Sequence, residues 1–379
     1  MVPVAIANLG NLEMKKVLLG TSALLGVGLL AGTAQASDGV KLSLGGYMTN
    51  QMGVAFDDDS AGEAGDNINA FGVGTDAEIY FIGSVTLDNG VTVGVRFDLE
   101  GGDENNDQMD QAYAYFKGGF GDIRIGSQAG AAGNMYMLPP GSTANFGPYS
   151  PNTTGSALSP GVFDPEGMLA NQDKSQKLVY YSPNWSGFSF GVSFTPNDNE
   201  KDYNNGDNAD GQWRAASAQG DSDNNIGLGL HYTHEGDGWG LDLGAAAYWE
   251  GDVQQKVAGQ DEQAGYNAGI NLSFGGFAFG VAGTYLDDGN GAGQDIWSIG
   301  TGMTYNVEAW TVGLGWAHAE LEVAGARDAS ADRVGVTGNY AMGPGIDLDA
   351  GIFYTWGEDA VGEGDYDSIE FGVGSSISF

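Results

Sequence analysis

Val91-Thr92-Val93-Gly94-Val95-Arg96-Phe97-Asp98-Leu99-Glu100 alternates without a break, with five apolar residues at the odd positions and Thr, Gly, Arg, Asp and Glu at the even ones. Successive side chains of an extended chain point to opposite faces, so this stretch is a strand with one apolar and one polar face. The period recurs in Phe277, Phe279, Val281, Gly283 and Tyr285, in Trp310, Val312, Leu314 and Trp316, and in Ile346, Leu348, Ala350, Ile352, Tyr354 and Trp356. No helical period competes with it. Sixteen such segments are predicted, starting near residues 40, 77, 91, 110, 121, 177, 187, 225, 239, 265, 277, 295, 310, 333, 346 and 368. The even count is the one a closed antiparallel barrel of bacterial type requires.

The connections separate a barrel from a soluble sandwich. Asp88-Asn89-Gly90, Gly275-Gly276 and Gly343-Pro344-Gly345 are tight turns, and polar loops lie between them at 57–76, 101–109, 128–176, 195–224, 251–264, 287–294, 321–332 and 357–367. Short turns on one rim and long loops on the other are the outer-membrane pattern, with the turns facing the periplasm. Seven of the eight tryptophans (Trp185, Trp239, Trp249, Trp297, Trp310, Trp316 and Trp356) fall at or near predicted strand ends, as interfacial girdles demand, and Trp213 falls in a loop. A soluble sandwich would hold its aromatics mid-strand and would not run to this length. The fold class is therefore all-β, a 16-stranded antiparallel transmembrane β-barrel with short periplasmic turns and long external loops.

Composition agrees. With no cysteine there is no disulfide or thiol chemistry, and 50 acidic against 13 basic residues give a net charge of -37, which repels nucleic acid. The 66 glycines show no collagen period; pairs such as Gly227-Leu228-Gly229 and Gly313-Leu314-Gly315 relieve crowding on a tilted, curved sheet. They lack the strand-to-helix setting of a dinucleotide loop.

Met14-Lys15-Lys16, the apolar run 17–30 and Ala34-Gln35-Ala36 form an export signal over residues 14–36, with cleavage between Ala36 and Ser37 and residues 1–13 as an upstream extension. An uncleaved helical anchor is the alternative, but the apolar run is shorter than the ~17 residues that a span needs. Removing the first 36 of 379 residues leaves a single mature unit of 343, residues 37–379. The mass of the protein isolated from outer membranes is expected to start at Ser37; a mature N-terminus at Met14 or earlier would defeat the export reading.

From Glu78-Ile79-Tyr80-Phe81 through Thr86-Leu87-Asp88-Asn89-Gly90-Val91-Thr92-Val93-Gly94, then Asp110-Gln111-Ala112-Tyr113-Ala114-Tyr115 and Gly119-Phe120-Gly121-Asp122-Ile123-Arg124-Ile125-Gly126, the chain resembles the α-proteobacterial trimeric porins. The start Lys41-Leu42-Ser43-Leu44-Gly45-Gly46-Tyr47 and the terminal Phe379 agree, so the resemblance spans the mature chain and is strongest over residues 78–128. It implies a homotrimeric general diffusion channel in the outer membrane. It further implies a third external loop folded into the pore, calcium on acidic loop residues, and Phe379 as the terminal signal read by the barrel-assembly machinery. Outer-membrane lipid and lipopolysaccharide, together with small hydrophilic solutes passing by diffusion, are the partners it brings.

Residues 128–176 form the longest connection and sit where the family places the constricting loop. The resemblance makes Asp164, Glu166 and Asp173 its acidic contributors and Arg96, Arg124 and Lys177 the basic residues opposite. The plainer alternative is that the arginines only satisfy Asp98 and Asp122. Met135-Tyr136-Met137-Leu138-Pro139-Pro140 makes part of this loop apolar, which favours a wider or more apolar constriction than in many relatives. Asp57, Asp58, Asp59, Asp287 and Asp288 offer hard oxygen ligands for calcium, against the reading of solvated acidic loops. No cofactor is required.

By strand phase the lumen holds the acids Glu78, Asp98, Glu100, Asp122, Asp242, Asp347, Asp349 and Glu370 and the bases Lys41, Arg96, Arg124, Lys177 and Arg333, eight against five. This excess of three negative charges predicts weak cation selectivity. An enzyme on this scaffold would need a nucleophile beside a base; His231 points inward while His234 and His318 point outward, and no serine–histidine arrangement emerges. A substrate-specific channel is the closer rival, and an aromatic ladder in the lumen would mark it. The inward phase shows Tyr80 and Phe353 but no ladder.

Overall fold

The computed structural model describes residues 39–57, 69–101, 109–149, 174–198, 222–253, 262–287, 294–323, 328–358 and 365–379. The signal segment, Trp213 and the outer parts of most predicted external loops lie outside the described residues.

Seventeen strands form one sheet: β1 (Lys41–Asp57), β2 (Phe71–Thr86), β3 (Thr92–Gly101), β4 (Met109–Gly118), β5 (Gly121–Ser127), β6 (Gln176–Tyr181), β7 (Phe188–Asn197), β8 (Ser222–Gly236), β9 (Trp239–Trp249), β10 (Asp252–Val253), β11 (Ala264–Phe274), β12 (Phe277–Asp287), β13 (Gln294–Val307), β14 (Trp310–Val323), β15 (Ala329–Gly343), β16 (Ile346–Glu358) and β17 (Asp365–Ser378). A single turn of helix, α1 (Ala131–Asn134), follows β5. Each strand pairs antiparallel with its neighbours, and β1 pairs with both β2 and β17, which closes the sheet. The two-residue β10 only caps the pairing of β8, so the wall is a closed barrel of sixteen strands, as predicted.

The period of two is visible as exposure. On β16, Ile346, Leu348, Ile352 and Tyr354 are exposed on the outer face while Asp349, Phe353 and Thr355 are buried on the inner one. Closure leaves no free strand edge, which is what a β-structure needs to sit in hydrocarbon. Phe379 lies just beyond β17, exchanging backbone hydrogen bonds with Gly46 of β1 (3.0 and 3.1 Å) and keeping an exposed ring, so the last residue completes the seam.

Tight turns carry the inter-strand geometry on one rim. At Asp88-Asn89-Gly90 the Gly90 N–H donates to Leu87 O (2.9 Å), the Val91 N–H donates to Asn89 Oδ1 (3.1 Å), and Gly90 takes φ +82°, a value that glycine adopts freely. Aromatic pairs mark both rims: Phe277–Tyr305 (4.4 Å between ring centroids) and Trp310–Tyr340 (4.6 Å) at the turn end, Trp249–Tyr266 (5.9 Å) and Tyr354–Trp356 (5.2 Å) at the loop end.

Strand ends differ from expectation mainly at the loop rim. β2 begins at Phe71 rather than near 77, because Phe71 and Val73 continue the outward phase and pair with Val54 and Met52, although the intervening glycines read as loop. β8, β15 and β17 also start three or four residues early, and β14 runs on to Val323. That extension places Trp316 mid-strand, where its Nε1 donates to Asp332 Oδ1 (3.0 Å), rather than at an end.

Candidate functional site

Residues 128–149 turn inward and run along the inner wall. The loop is fastened to β7, β8, β11, β13, β15 and β16. The Ala131 N–H donates to Ser193 Oγ on β7 (3.0 Å), and His231 Nε2 on β8 lies 3.1 Å from Met135 O. On β11 Asn267 grips Met137 twice, accepting from its N–H at 2.6 Å and donating to its carbonyl at 3.1 Å, as a neighbouring strand would. Tyr149 donates to Thr301 O on β13 (2.5 Å), Thr337 Oγ1 on β15 to Gly141 O (2.9 Å), and Asn145 Nδ2 to Asp349 Oδ2 on β16 (2.7 Å).

Inward-facing glycines make room for this path. A Cβ on Gly269 would stand 2.7 Å from Met137 Cβ, on Gly280 2.7 Å from Pro140 Cδ, on Gly300 2.7 Å from Tyr149 Cε1, and on Gly315 2.5 Å from Pro148 Cγ. On Gly302 it would run into Pro140 O and the Tyr149 hydroxyl, and on Gly372 into the Phe146 ring. The glycine excess, read from the sequence as relief of curvature, thus includes a belt against which the loop lies. Met135, Met137, Phe146 and Tyr149 are buried against it.

The opposite wall, β1 to β6, carries the charged side of the narrowing. Arg96 Nε donates to both oxygens of Asp98 (2.7 and 2.9 Å), and Arg124 Nε and Nη2 donate to Asp122 Oδ2 (3.1 and 3.0 Å). In each pair the cation is outermost: the arginine side chains are 30% and 28% exposed, Asp98 0% and Asp122 13%. Both readings of these arginines therefore coexist, since they satisfy their neighbours and still face the lumen. Lys177 does not join them. Its side chain is 3% exposed and its ammonium donates to Ser175 O and Oγ (both 3.0 Å), because the returning end of the loop covers it.

Just before it, Lys174 forms an ion pair with Asp110 beside Glu78 and Glu100, whose carboxylates lie within 4.8 Å of one another and of Asp110. Burial works to lower the Lys174 ammonium, but the Asp110 hydrogen bond and the charges of Asp110, Glu100 and Glu78 outweigh it and hold the group above its ordinary value. The returning end of the loop is thereby pinned to β2–β4 as a cation.

Several expected residues fall elsewhere. Asp164, Glu166, Asp173, Asp58, Asp59 and Asp288 lie outside the described residues; Asp57 ends β1, and Asp287 is exposed at the end of β12, paired across the sheet with Asp295. The carboxylate group found, Glu78, Glu100 and Asp110, was not foreseen as a group. The expectation of no aromatic ladder is also corrected. Tyr47, Tyr113, Tyr115 and Tyr181 share the inner face with Tyr80, and Tyr47 and Tyr80 lie 6.3 Å apart. The same strand phase that placed Arg96 inside places them there, so the signal was present in the sequence.

A closed β-barrel with an apolar belt outside, aromatic rims and a polar lumen narrowed by its own third loop defines a transmembrane channel protein. The chain belongs to the Gram-negative porin family, whose model matches residues 20–360. It is thus an outer-membrane channel for passive diffusion of small hydrophilic solutes. Its fold is similar to that of the anion-selective porin from Comamonas acidovorans (15% identity, 90% of this chain and 100% of that chain, TM-score 0.59). It is likewise similar to OmpT of Vibrio cholerae in its trimer form (12% identity, 90% and 100%, TM-score 0.59) and to the loop L8 deletion mutant of that protein (13% identity, 90% and 100%, TM-score 0.60). Comparison with curated proteins gives no match.

Proposed function

We propose that this porin is a homotrimeric, non-enzymatic, weakly cation-selective general channel of α-proteobacterial type, with Arg96 and Arg124 as constriction residues. The observation that carries the reading is the pair of arginines, both facing the open lumen with their carboxylates behind them, across from the loop stretch 128–149, which has no charged residue. Strand extension and the inner phase of β8 add Asp76, Asp110, Asp223 and Glu235 to the eight inner acids and Lys117 and Lys174 to the five inner bases, twelve against seven, so the excess stays negative. One unit charge about 8 Å from an ion in water is worth roughly 0.5 kcal/mol, which biases permeability several-fold at most. Salt weakens the bias, because the Debye length falls from about 10 Å at 0.1 M to about 3 Å at 1 M.

The reversal potential across a planar bilayer under a salt gradient at 0.1 M is expected to show cation preference. Replacing Arg96 and Arg124 together by glutamine should raise it, because two inner cations are lost while Asp98 and Asp122 remain. Anion preference in the wild-type protein would overturn the selectivity. Trimer formation should appear as slow-migrating, heat-sensitive bands in unheated SDS gels; one monomer band with and without heating would count against it. Assembly machinery acting on Phe379, lipopolysaccharide outside the barrel and calcium on the acidic loops complete the proposal.

A further inference from the structure

Six consecutive strands each contribute one ring or guanidinium to a single band on the inner wall: Tyr47, Tyr80, Arg96, Tyr113, Arg124 and Tyr181, from β1 to β6 in order. Arg96 and Tyr113 share a rung, and at the four other junctions the next residue lies two places nearer the turn rim than the rung partner. Followed in this direction, the rungs themselves climb toward the loop rim, so the downward steps compensate. With strands tilted by about 40°, a level line needs about one residue of step per strand, and the band therefore runs close to one height. It meets the loop at that height: Tyr181 pairs with Gly191, a glycine facing Met135, and Asn134 Nδ2 donates to the Tyr181 hydroxyl (2.8 Å).

The arginines of the band lie over its rings. Arg96 Cζ stands 4.3 Å from the Tyr80 ring centroid, and Arg124 lies over two rings, 5.4 Å from Tyr113 and 4.8 Å from Tyr181. The carboxylates occupy Nε of Arg96 and Nε with Nη2 of Arg124, leaving the outer amino groups turned to the lumen. Across the opening, residues 128–149 expose Asn134, Ser142 and Ala144, with Tyr136, Leu138 and Pro140 partly exposed and no charged side chain. One side of the aperture therefore presents cationic and aromatic surface, the other an uncharged one.

We propose that this band is a solute-binding site for flat aromatic carboxylates, whose ring stacks on the guanidinium and phenol faces while the carboxylate meets the free guanidinium amino groups. The inference rests on the porin reading and deepens it, making the channel a general pore for ions with a preference among organic solutes. Small-ion selectivity follows the summed charge of the lumen; residence at the band follows stacking, which a weak negative field does not abolish.

The test is block of single-channel KCl current in planar bilayers by benzoate, cyclohexanecarboxylate and benzamide, each added alone at equal concentration. Benzoate has both features, cyclohexanecarboxylate the charge without the flat ring, and benzamide the ring without the charge. Benzoate is expected to block at roughly threefold lower concentration than either, as a partly exposed cation–π contact of about 0.5–1 kcal/mol implies. Replacing Tyr80 and Tyr181 together by leucine should remove that advantage, and replacing both by phenylalanine should keep it. Equal block by benzoate and cyclohexanecarboxylate, or an advantage that survives the leucine pair, would overturn stacking; equal block by benzamide would overturn the carboxylate. The wild-type comparison stands even where the leucine pair does not assemble. Open-channel KCl current in the same recordings reports the porin reading separately, since a chain that forms no pore fails there before any solute is added.

Discussion

Replacing Gly302 by valine is expected to lower single-channel conductance about twofold while leaving the barrel assembled. A Cβ at this position meets the Pro140 carbonyl and the Tyr149 hydroxyl, and both belong to the loop that narrows the lumen. Carbon contacts settle near 3.5–4.0 Å, so the loop must retreat by about 1–2 Å, away from the wall and toward the aperture. The wall cannot give way instead, because β13 is held by full ladders to β12 and β14. Tyr149 donates its hydroxyl to Thr301 O beside the new side chain, so the displacement also weakens one fastening. Gly72 supplies the control: it lies on the inner face of β2 with nothing within 4 Å of a Cβ, and its replacement by valine should leave conductance as it was. An unaltered conductance in the Gly302 variant would mean that the belt does not set the height of the loop above the wall.

How much of this was legible in the sequence depends on whether neighbours along the chain or across it decide the outcome. Ile346, Leu348, Ile352 and Tyr354 announce their face by a local period, because lipid on one side and water on the other impose the same alternation along every strand. Phe71 to Asp76 failed that local test, since two glycines and a threonine diluted the pattern, yet pairing with β1 makes it strand. Arg96 and Arg124 were placed by phase alone. Phase put Lys177 on the correct face as well, but could not show that Ser175 and the returning loop bury its ammonium. The glycine belt is a matter of long-range fit: Gly269 and Met137 are remote in sequence and meet only when the barrel has closed around the loop. The tyrosine band obeys the same phase rule, since the alternation that turns Arg96 inward also turns Tyr47, Tyr80, Tyr113 and Tyr181 inward.

Replacing Glu370 by alanine should cost the folded barrel about 3–5 kcal/mol, the usual penalty for stranding one member of a buried ion pair. Arg333 Nη2 donates to Glu370 Oε2 at 2.6 Å, the two side chains are 4% and 0% exposed, and the guanidinium lies over Phe353 at 4.6 Å from the ring centroid. These residues face inward from β15, β16 and β17 but do not meet the water of the lumen. The arginine cannot shed its proton to escape the loss, because guanidinium stays charged in proteins. The guanidinium is 4% exposed, so its burial is what makes the loss of the carboxylate costly. Replacing both residues, Arg333 by methionine together with Glu370 by alanine, should restore part of the loss, since the buried charge goes along with its counterion while the alanine leaves the glutamate volume unfilled. The measurement is the denaturant or temperature at which the purified barrel loses its β-signal in detergent, for the wild type, the single variant and the double variant. A single variant as stable as the wild type would show that the carboxylate does not hold the arginine in place, and a double variant less stable than the single one would show that packing, rather than charge, is what these two side chains supply.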